Sequence, residues 1–197
     1  MSVSVIVGVF GDPSWIERAK VAVASAEDQS LRAEDAIISY GNTLAEARNG
    51  GAERTTGDWL CFLDADDELD HGYIEAMTEA IDKLSDNLVL LQPATLGVVD
   101  GVEDDESVVI PRKNILDGNF MVIGTLIHRD VFMSVGGFTE WPMYEDWDLW
   151  IRSMKRGCES YPVPDAIYRV GVSTESRNNQ SRALQVKTFN AIRSQYV

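Results

Sequence analysis

Trp59-Leu60-Cys61-Phe62-Leu63-Asp64-Ala65-Asp66-Asp67 is an apolar run that ends in three carboxylates. Its first part has the make-up of a buried strand, with Gly57 just upstream as a breaker. Carboxylates this close repel one another, and each loses hydration where a buried strand ends. A divalent cation is the usual compensation, and oxygen donors of this kind suit magnesium or manganese. Open α/β sheets bind ligands beyond the carboxyl ends of their strands, where these acids fall. The alternative is a solvated acidic turn in which Asp67 or Asp70 caps the next helix.

Working outward, Ser4 to Phe10 is a β-branched run, as expected of a strand buried on both faces. Gly11-Asp12-Pro13 breaks it, and Pro13 suits the first turn of a helix over Ser14 to Ala26. A short strand follows at Ala36 to Ser39. Thr43 is placed to cap a helix from Leu44, with Glu46 as capping-box partner. Beyond the acids, the pattern predicts a helix over Asp70 to Leu84 and a strand over Leu88 to Val99. This alternation argues for a parallel sheet with helices on its faces.

The second half reads differently. Asp100 to Ser107 is a polar turn between extended segments, and Met121 to His128 reads as a strand. A short helix over Val131 to Val135 closes at Gly136-Gly137. Tyr144 leads into an amphipathic helix from Glu145, with Trp147, Trp150, Ile151 and Met154 on one face and Gly157 at its end. Two extended pieces are expected near Tyr161 and Ile167. Gly171 to Arg182 reads as a polar mobile loop, followed by a helix to about Tyr196. That helix, with Phe189, Ile192 and Tyr196, is expected to pack on its own sheet or to make a homodimer contact.

The chain has 197 residues, 45% of them hydrophobic, enough for one well-packed domain. A net charge of -15 repels phosphate backbones, which excludes nucleic acid as a main partner and disfavours anionic membranes. Cys61 and Cys158 are far apart and form no metal-spaced pair. With no disulfide framework, signal peptide or membrane-spanning run in the pattern, a cytoplasmic protein is the expectation. His71 and His128 read as structural or exposed.

Four segments carry a family resemblance. They are Val3-Ser4-Val5-Ile6-Val7 with Val23 to Ser30; Leu44-Ala45-Glu46-Ala47-Arg48-Asn49-Gly50-Gly51; Gly57 to Asp67; and Gly136-Gly137-Phe138 followed by Glu145-Asp146-Trp147-Asp148-Leu149-Trp150-Ile151-Arg152. In this order the chain resembles the family 2 inverting glycosyltransferases of GT-A fold over nearly its whole length. The resemblance implies an α/β, Rossmann-like, mostly parallel central sheet flanked by helices, in one domain over 1–197. Residues 1–99 would be the nucleotide-sugar-binding half, and 100–197 the acceptor-binding and catalytic half. It also implies transfer of a hexose from a UDP- or GDP-sugar to an acceptor hydroxyl on a glycan, lipid-linked sugar, protein or small molecule.

The resemblance assigns roles residue by residue. Asp66 is the expected metal ligand, with Asp64 at the metal or the ribose and Ala65 between them at the donor; the ion is manganese or magnesium. Val9 and Phe10 are expected to line the base pocket, and Arg48 to meet the diphosphate or the base edge. The competing reading of Arg48 is a surface arginine paired with Glu46 or Glu53. Asp146 matches the base that takes the acceptor proton, while Glu145 and Trp141 are expected on the acceptor side. Two departures stand out. Ser39-Tyr40-Gly41-Asn42 replaces the family's usual acids after the second strand. Tyr168-Arg169-Val170-Gly171 replaces Tyr-Arg-x-His, so the histidine metal ligand is absent. Arg177 and Arg182 of the polar loop are the expected replacements at the diphosphate. The competing functions are a degenerate nucleotide-sugar binder of the same fold, a haloacid-dehalogenase-type phosphohydrolase and a nucleotidyltransferase. The last lacks a glycine-rich phosphate loop here, and the phosphohydrolase leaves the later motifs unexplained.

Overall fold

The computed structural model describes residues 1–84, 86–99, 101–172 and 182–197. Strand β1 (Val3–Val9) is buried along its whole length, as its apolar run requires. It pairs in parallel with β2 (Asp35–Tyr40) on one side and with β3 (Trp59–Leu63) on the other. Helix α1 (Ser14–Glu27) connects β1 to β2, and α2 (Leu44–Arg54) connects β2 to β3. Thr43 caps α2 by accepting from Glu46 N at 3.1 Å. The Glu46 carboxylate returns to Asn42 N at 2.9 Å, a capping box whose second arm reaches one residue further back.

After the acids come β4 (Glu68–Leu69), α3 (Tyr73–Leu84) and β5 (Val89–Val99). Helix α3 starts three residues later than the pattern predicts, because Asp70 and Gly72 form the entering turn: Asp70 Oδ1 accepts from Gly72 N and Asp70 O from Tyr73 N. Strand β6 (Val102–Glu103) forms a hairpin with the end of β5. A 3-10 turn (Ile115–Asp117), β7 (Leu126–His128), α4 (Arg129–Ser134), α5 (Glu145–Lys155), β8 (Glu159–Val172) and α6 (Arg182–Ser194) complete the described chain.

The sheet order is β2-β1-β3-β7-β5-β8-β4. Strand β7 lies antiparallel between β3 and β5, so these two point the same way, and β8 runs parallel to β5. The long strands are therefore parallel, and the α/β architecture is the one expected. Two details differ from the sequence pattern. The extended pieces near Tyr161 and Ile167 are one strand, whose register with β5 slips between Pro93–Val163 and Ala94–Ile167. Prolines 93, 162 and 164 cannot donate to a ladder, and an irregularity is where a sheet accommodates them. Only the last part of Met121–His128 is strand. Residues 121–125 are a buried turn, with Thr125 N donating to Val122 O. An apolar run alone does not distinguish these two states.

The core is continuous. Phe62, Phe132 and Phe138 pack with ring centroids within 5.7 Å of one another, Phe138 edge-on to both others and Phe62 tilted on Phe132, between β3 and the α4 region. Trp147 stacks on Phe189 of α6 at 4.5 Å. Helix α5 is buried over more than one stripe, since Asp148 and Ser153 are as hidden as Trp150. Cys61 and Cys158 are both buried and unpaired, and burial raises their thiols to about 12 and about 11. His71 is exposed, whereas His128 is buried, meets Trp59 edge-on and caps α4 through Asp130 N. Among the described residues, no helix is long and apolar enough to cross a membrane.

Candidate active site

The carboxyl ends of β1 and β3 open onto a cleft of about 730 Å³. Val9, Phe10, Arg48, Asp64, Ala65, Asp66, Glu145 and Asp146, drawn from both halves of the chain, line it together. Trp141 is not in the lining; it is half-buried against the core, with a buried indole N–H that has no hydrogen-bond partner. Arg182 is exposed at the start of α6, and Arg177 lies outside the described residues.

The first acid cluster follows directly from the end of β3. One oxygen from each of Asp64, Asp66 and Asp67 lies within 4.8 Å of the others. Asp67 is 7% exposed and is held from β8: the Tyr168 hydroxyl donates to Oδ2 at 2.7 Å and Gly171 N to Oδ1 at 2.8 Å. The same Tyr168 hydroxyl accepts from Asp64 N at 3.2 Å. Burial, and then the Asp64 charge, push the Asp67 carboxyl well above the usual range, with the Tyr168 bond opposing them. Gly171 takes the place of the expected histidine for a steric reason, since a Cβ there would lie 2.1 Å from the Asp66 carbonyl. The backbone of β8 closes on the acid turn where a side chain would otherwise stand.

Arg48 joins this cluster to the second one. It is 1% exposed, not a surface residue, and its partners are neither Glu46 nor Glu53. Nη2 donates to Asp64 at 2.5 Å and Nη1 to Glu145 at 2.9 Å. Its guanidinium also lies over the Phe138 ring, 4.9 Å from the centroid. Burial by itself would lower its pKa, but the Asp64 and Glu145 charges outweigh this and raise it, so the group stays cationic. Gly8 of β1 leaves room for it, because a Cβ would meet Arg48 Cγ at 2.9 Å. The next residue, Asn49, makes the matching backbone link: its amide donates to Phe138 O at 2.9 Å and accepts from Phe138 N at 2.8 Å. The Arg-Asn pair and the Gly-Gly-Phe segment are thus two sides of one joint between the halves.

The second cluster opens α5. Tyr144 precedes it with φ 66 and ψ 25, the one non-glycine residue with positive φ among those described. Non-glycine residues in this region cost on the order of 1–3 kcal/mol and gather at functional sites. Glu145 is 5% exposed against Arg48. Asp146 is half-buried and accepts from Asn119 Nδ2 at 2.7 Å. Burial, then the Glu145 charge, raise its carboxyl to about 7; the Trp147 backbone N–H and Arg48 pull the other way. A carboxyl near neutrality accepts a proton readily at working pH. Asp148, two residues on, is instead a structural anchor: 1% exposed, it accepts from Thr139, Arg152 and the Tyr196 hydroxyl.

Sequence reasoning missed Tyr168, Asn119, Tyr144 and Asp148. Asp148 left a local signal in its i,i+4 spacing to Arg152, and Tyr168 stands at the tyrosine of the Tyr-Arg-x-His pattern, though neither was given a role. The others act through contacts between distant segments or through backbone geometry that tyrosine does not announce.

With this geometry in hand, residues 9–121 match the model of the family described as glycosyl transferase family 2. The chain belongs to that family. Two similar relatives are the amylovoran biosynthesis glycosyltransferase AmsB of Erwinia amylovora, 36% identical over 80 residues, and an uncharacterized glycosyltransferase of Haemophilus influenzae, 28% identical over 171 residues. The matches cover 40% and 78% of this chain, and 22% and 55% of those proteins, so the chain spans about half or less of their length. Among solved structures, S. aureus TarS 1-349 in complex with UDP-GlcNAc aligns over 92% of this chain and 61% of that one, with a TM-score of 0.70 at 14% identity. Its complex with UDP aligns over 95% and 65%, with a TM-score of 0.66 at 16% identity. The fold of this family 2 chain is therefore the GT-A fold.

Proposed function

We propose that this chain is an inverting hexosyltransferase that moves a sugar from a UDP-sugar to an acceptor hydroxyl and depends on a divalent metal. The observation that carries the reading is the cleft itself, in which the acid cluster after β3 and a carboxyl titrating near 7 line one cavity. UDP and UDP-GlcNAc occupy structures of TarS, whose fold this chain shares, and this favours a uridine donor.

Val9 and Phe10 would border the base. Asp66, together with Asp64, would hold manganese or magnesium; the three oxygens within 4.8 Å and the strained ionisation of Asp67 fit a hard cation. When bound, such an ion acts as a Lewis acid on the leaving diphosphate. Arg48 keeps Asp64 and Glu145 in place. Asp146 accepts the proton of the acceptor hydroxyl as that oxygen bonds to the anomeric carbon. The bond from that carbon to the diphosphate breaks, and its electron pair leaves with the diphosphate. Attack opposite the leaving group inverts the centre. Glu145 and the residues around Tyr144 would border the acceptor, and Arg182 would approach the donor from the start of α6. Residues 1–99 would serve the donor and 100–197 the acceptor and the chemistry.

Calorimetric titration with UDP and GDP, with and without manganese, tests the donor side. Manganese-dependent UDP binding that is lost in Asp66→Ala is the expected result. Binding that ignores both the metal and Asp66 would overturn the metal assignment, and no binding of either nucleotide would overturn the donor class.

A further inference from the structure

The segment between β6 and β7 carries no motif, yet it is fastened at several points. Gln92 of β5, 3% exposed, donates through its amide to Ile110 O at 2.9 Å and to Phe120 O at 2.8 Å. The Trp147 indole N–H donates to Ile115 O at 2.6 Å, and Asn114 caps the 3-10 turn through Leu116 N. These clamps bring Asn119 to the cleft wall. Adjacent residues of α5 therefore hold the same segment: the Trp147 indole N–H donates to the Ile115 carbonyl, and the Asp146 carboxylate accepts from the side chain of Asn119.

The two ends of the Asn119 amide are told apart by their partners. The Met121 backbone N–H can only donate, so the atom it meets at 3.1 Å is Oδ1. The NH₂ end is thereby turned to Asp146 Oδ2, 2.7 Å away. A donor held in this way engages one carboxylate oxygen, restricts rotation of the group and favours its ionised form. The charged groups that act on Asp146 are Glu145 on its own helix, Arg48 of α2 and Asp64 at the end of β3. Asn119 is the neutral donor that comes from the clamped segment.

We propose that Asn119 is a positioning residue for Asp146: it holds one carboxylate oxygen and so aims the carboxylate at the incoming hydroxyl. The inference rests on the base role proposed for Asp146.

A carboxyl carbon NMR titration of the full chain tests it without reference to turnover, with the Asp146 signal assigned by its loss in Asp146→Asn. Asn119→Ala should move the Asp146 midpoint upward by about 0.5–1 pH unit. Asn119→Asp keeps the acceptor for Met121 N–H, so the segment stays folded, but it sets a like charge against Asp146 and should move the upper titration step further. In parallel, the acid limb of kcat for UDP-GlcNAc consumption with manganese should follow the NMR midpoint, while KM for the donor stays within about twofold. An unmoved midpoint in both variants overturns the proposal whatever the turnover. So does a moved midpoint with an unmoved acid limb. A moved midpoint with no turnover of UDP-GlcNAc, UDP-glucose or UDP-galactose by the native chain or either variant supports the Asn119 hold on Asp146 and sinks the transferase reading instead.

Discussion

Asp64, Asp66 and Asp67 leave the end of a buried strand, whereas Glu145 and Asp146 open a helix. Both groups line one cleft, and one buried arginine serves both. They differ in what surrounds the acid that departs most from ordinary titration. Asp67 is tied down by a tyrosine hydroxyl and a backbone N–H from β8, and its raised pKa reflects burial beside like charges. Asp146 meets the Asn119 side-chain amide and the Trp147 backbone N–H, both neutral, and keeps a face on the cleft. The helix N-terminus, which favours negative charge, does not win at Asp146: burial and Glu145 outweigh the Trp147 N–H. The first cluster is arranged to gather charge, the second to hold a carboxyl near the point where it exchanges protons.

The largest expected effect separates these two tasks. Asp146→Asn should lower kcat for sugar transfer or donor hydrolysis by about a thousandfold, within the range for removal of a general base. Manganese-dependent UDP affinity should stay within about twofold. Rapid-quench turnover and calorimetry on the same preparation read both quantities. A variant that loses nucleotide binding along with turnover would mean that the clusters do not divide the work.

Breaking the link between the clusters should cost stability. Arg48→Met leaves Glu145 buried without its cation, and the expected loss is about 3–5 kcal/mol. Most of this belongs to Glu145, because the Asp64 side chain is 32% exposed and water takes up part of its charge. Urea unfolding measures the loss. A change below about 1 kcal/mol would show that the arginine is dispensable to the joint.

How far the sequence foretells these regions follows from the range of the contacts. The strand-end acids, the Thr43 cap and the Arg-Asn segment are local patterns, and each stands where it was expected. Val9, Phe10, Arg48, Asp64, Ala65, Asp66, Glu145 and Asp146 meet in one cleft because β1 and β3 end there, whereas Trp141 stands outside it. The contacts of Asn119 and Tyr168 have no such signature, since each acts on an acid far away in the chain. The Met121 run shows the converse. It is apolar and buried like a strand, yet Gly124 lets it turn under the Tyr168 ring, where a Cβ would lie 2.1 Å from Cδ2. Arg48 was legible as important but not as buried, because only the fold brings Glu145 to it.

A smaller effect follows from the sign of the Asp146 shift. Its folded pKa, about 7, lies above the unfolded value near 4, so the folded state holds the proton more tightly. The stabilisation is complete below about pH 4 and is lost as pH rises to about 7, while the ionised carboxylate accumulates over the same window. Asp146→Asn removes this slope. The stability of the variant relative to the native chain should therefore climb between pH 5 and 7 and level off by about pH 8, as followed by urea unfolding at each pH. Parallel curves would mean that Asp146 titrates normally and that its environment differs little from that of an exposed acid.

The smallest effect concerns the residue that turns the chain into the second cluster. Tyr144 holds a left-handed backbone that glycine adopts freely, so Tyr144→Gly should recover about 1 kcal/mol of strain. The same change removes the edge-on contact of its ring with Trp147, 6.3 Å between centroids and worth about 0.5–1.5 kcal/mol. Glycine also gives the unfolded chain more freedom to lose. These terms nearly cancel, and the expected shift in Tm is within a few degrees. Turnover should fall more than stability, because Tyr144 lines the cleft and sets the angle at which Glu145 and Asp146 enter the helix. A variant with unchanged kcat would show that the left-handed turn serves only the chain path. If Tyr144→Asn, which also tolerates this region, restores turnover that glycine loses, the stiffness of the turn is what the second cluster needs.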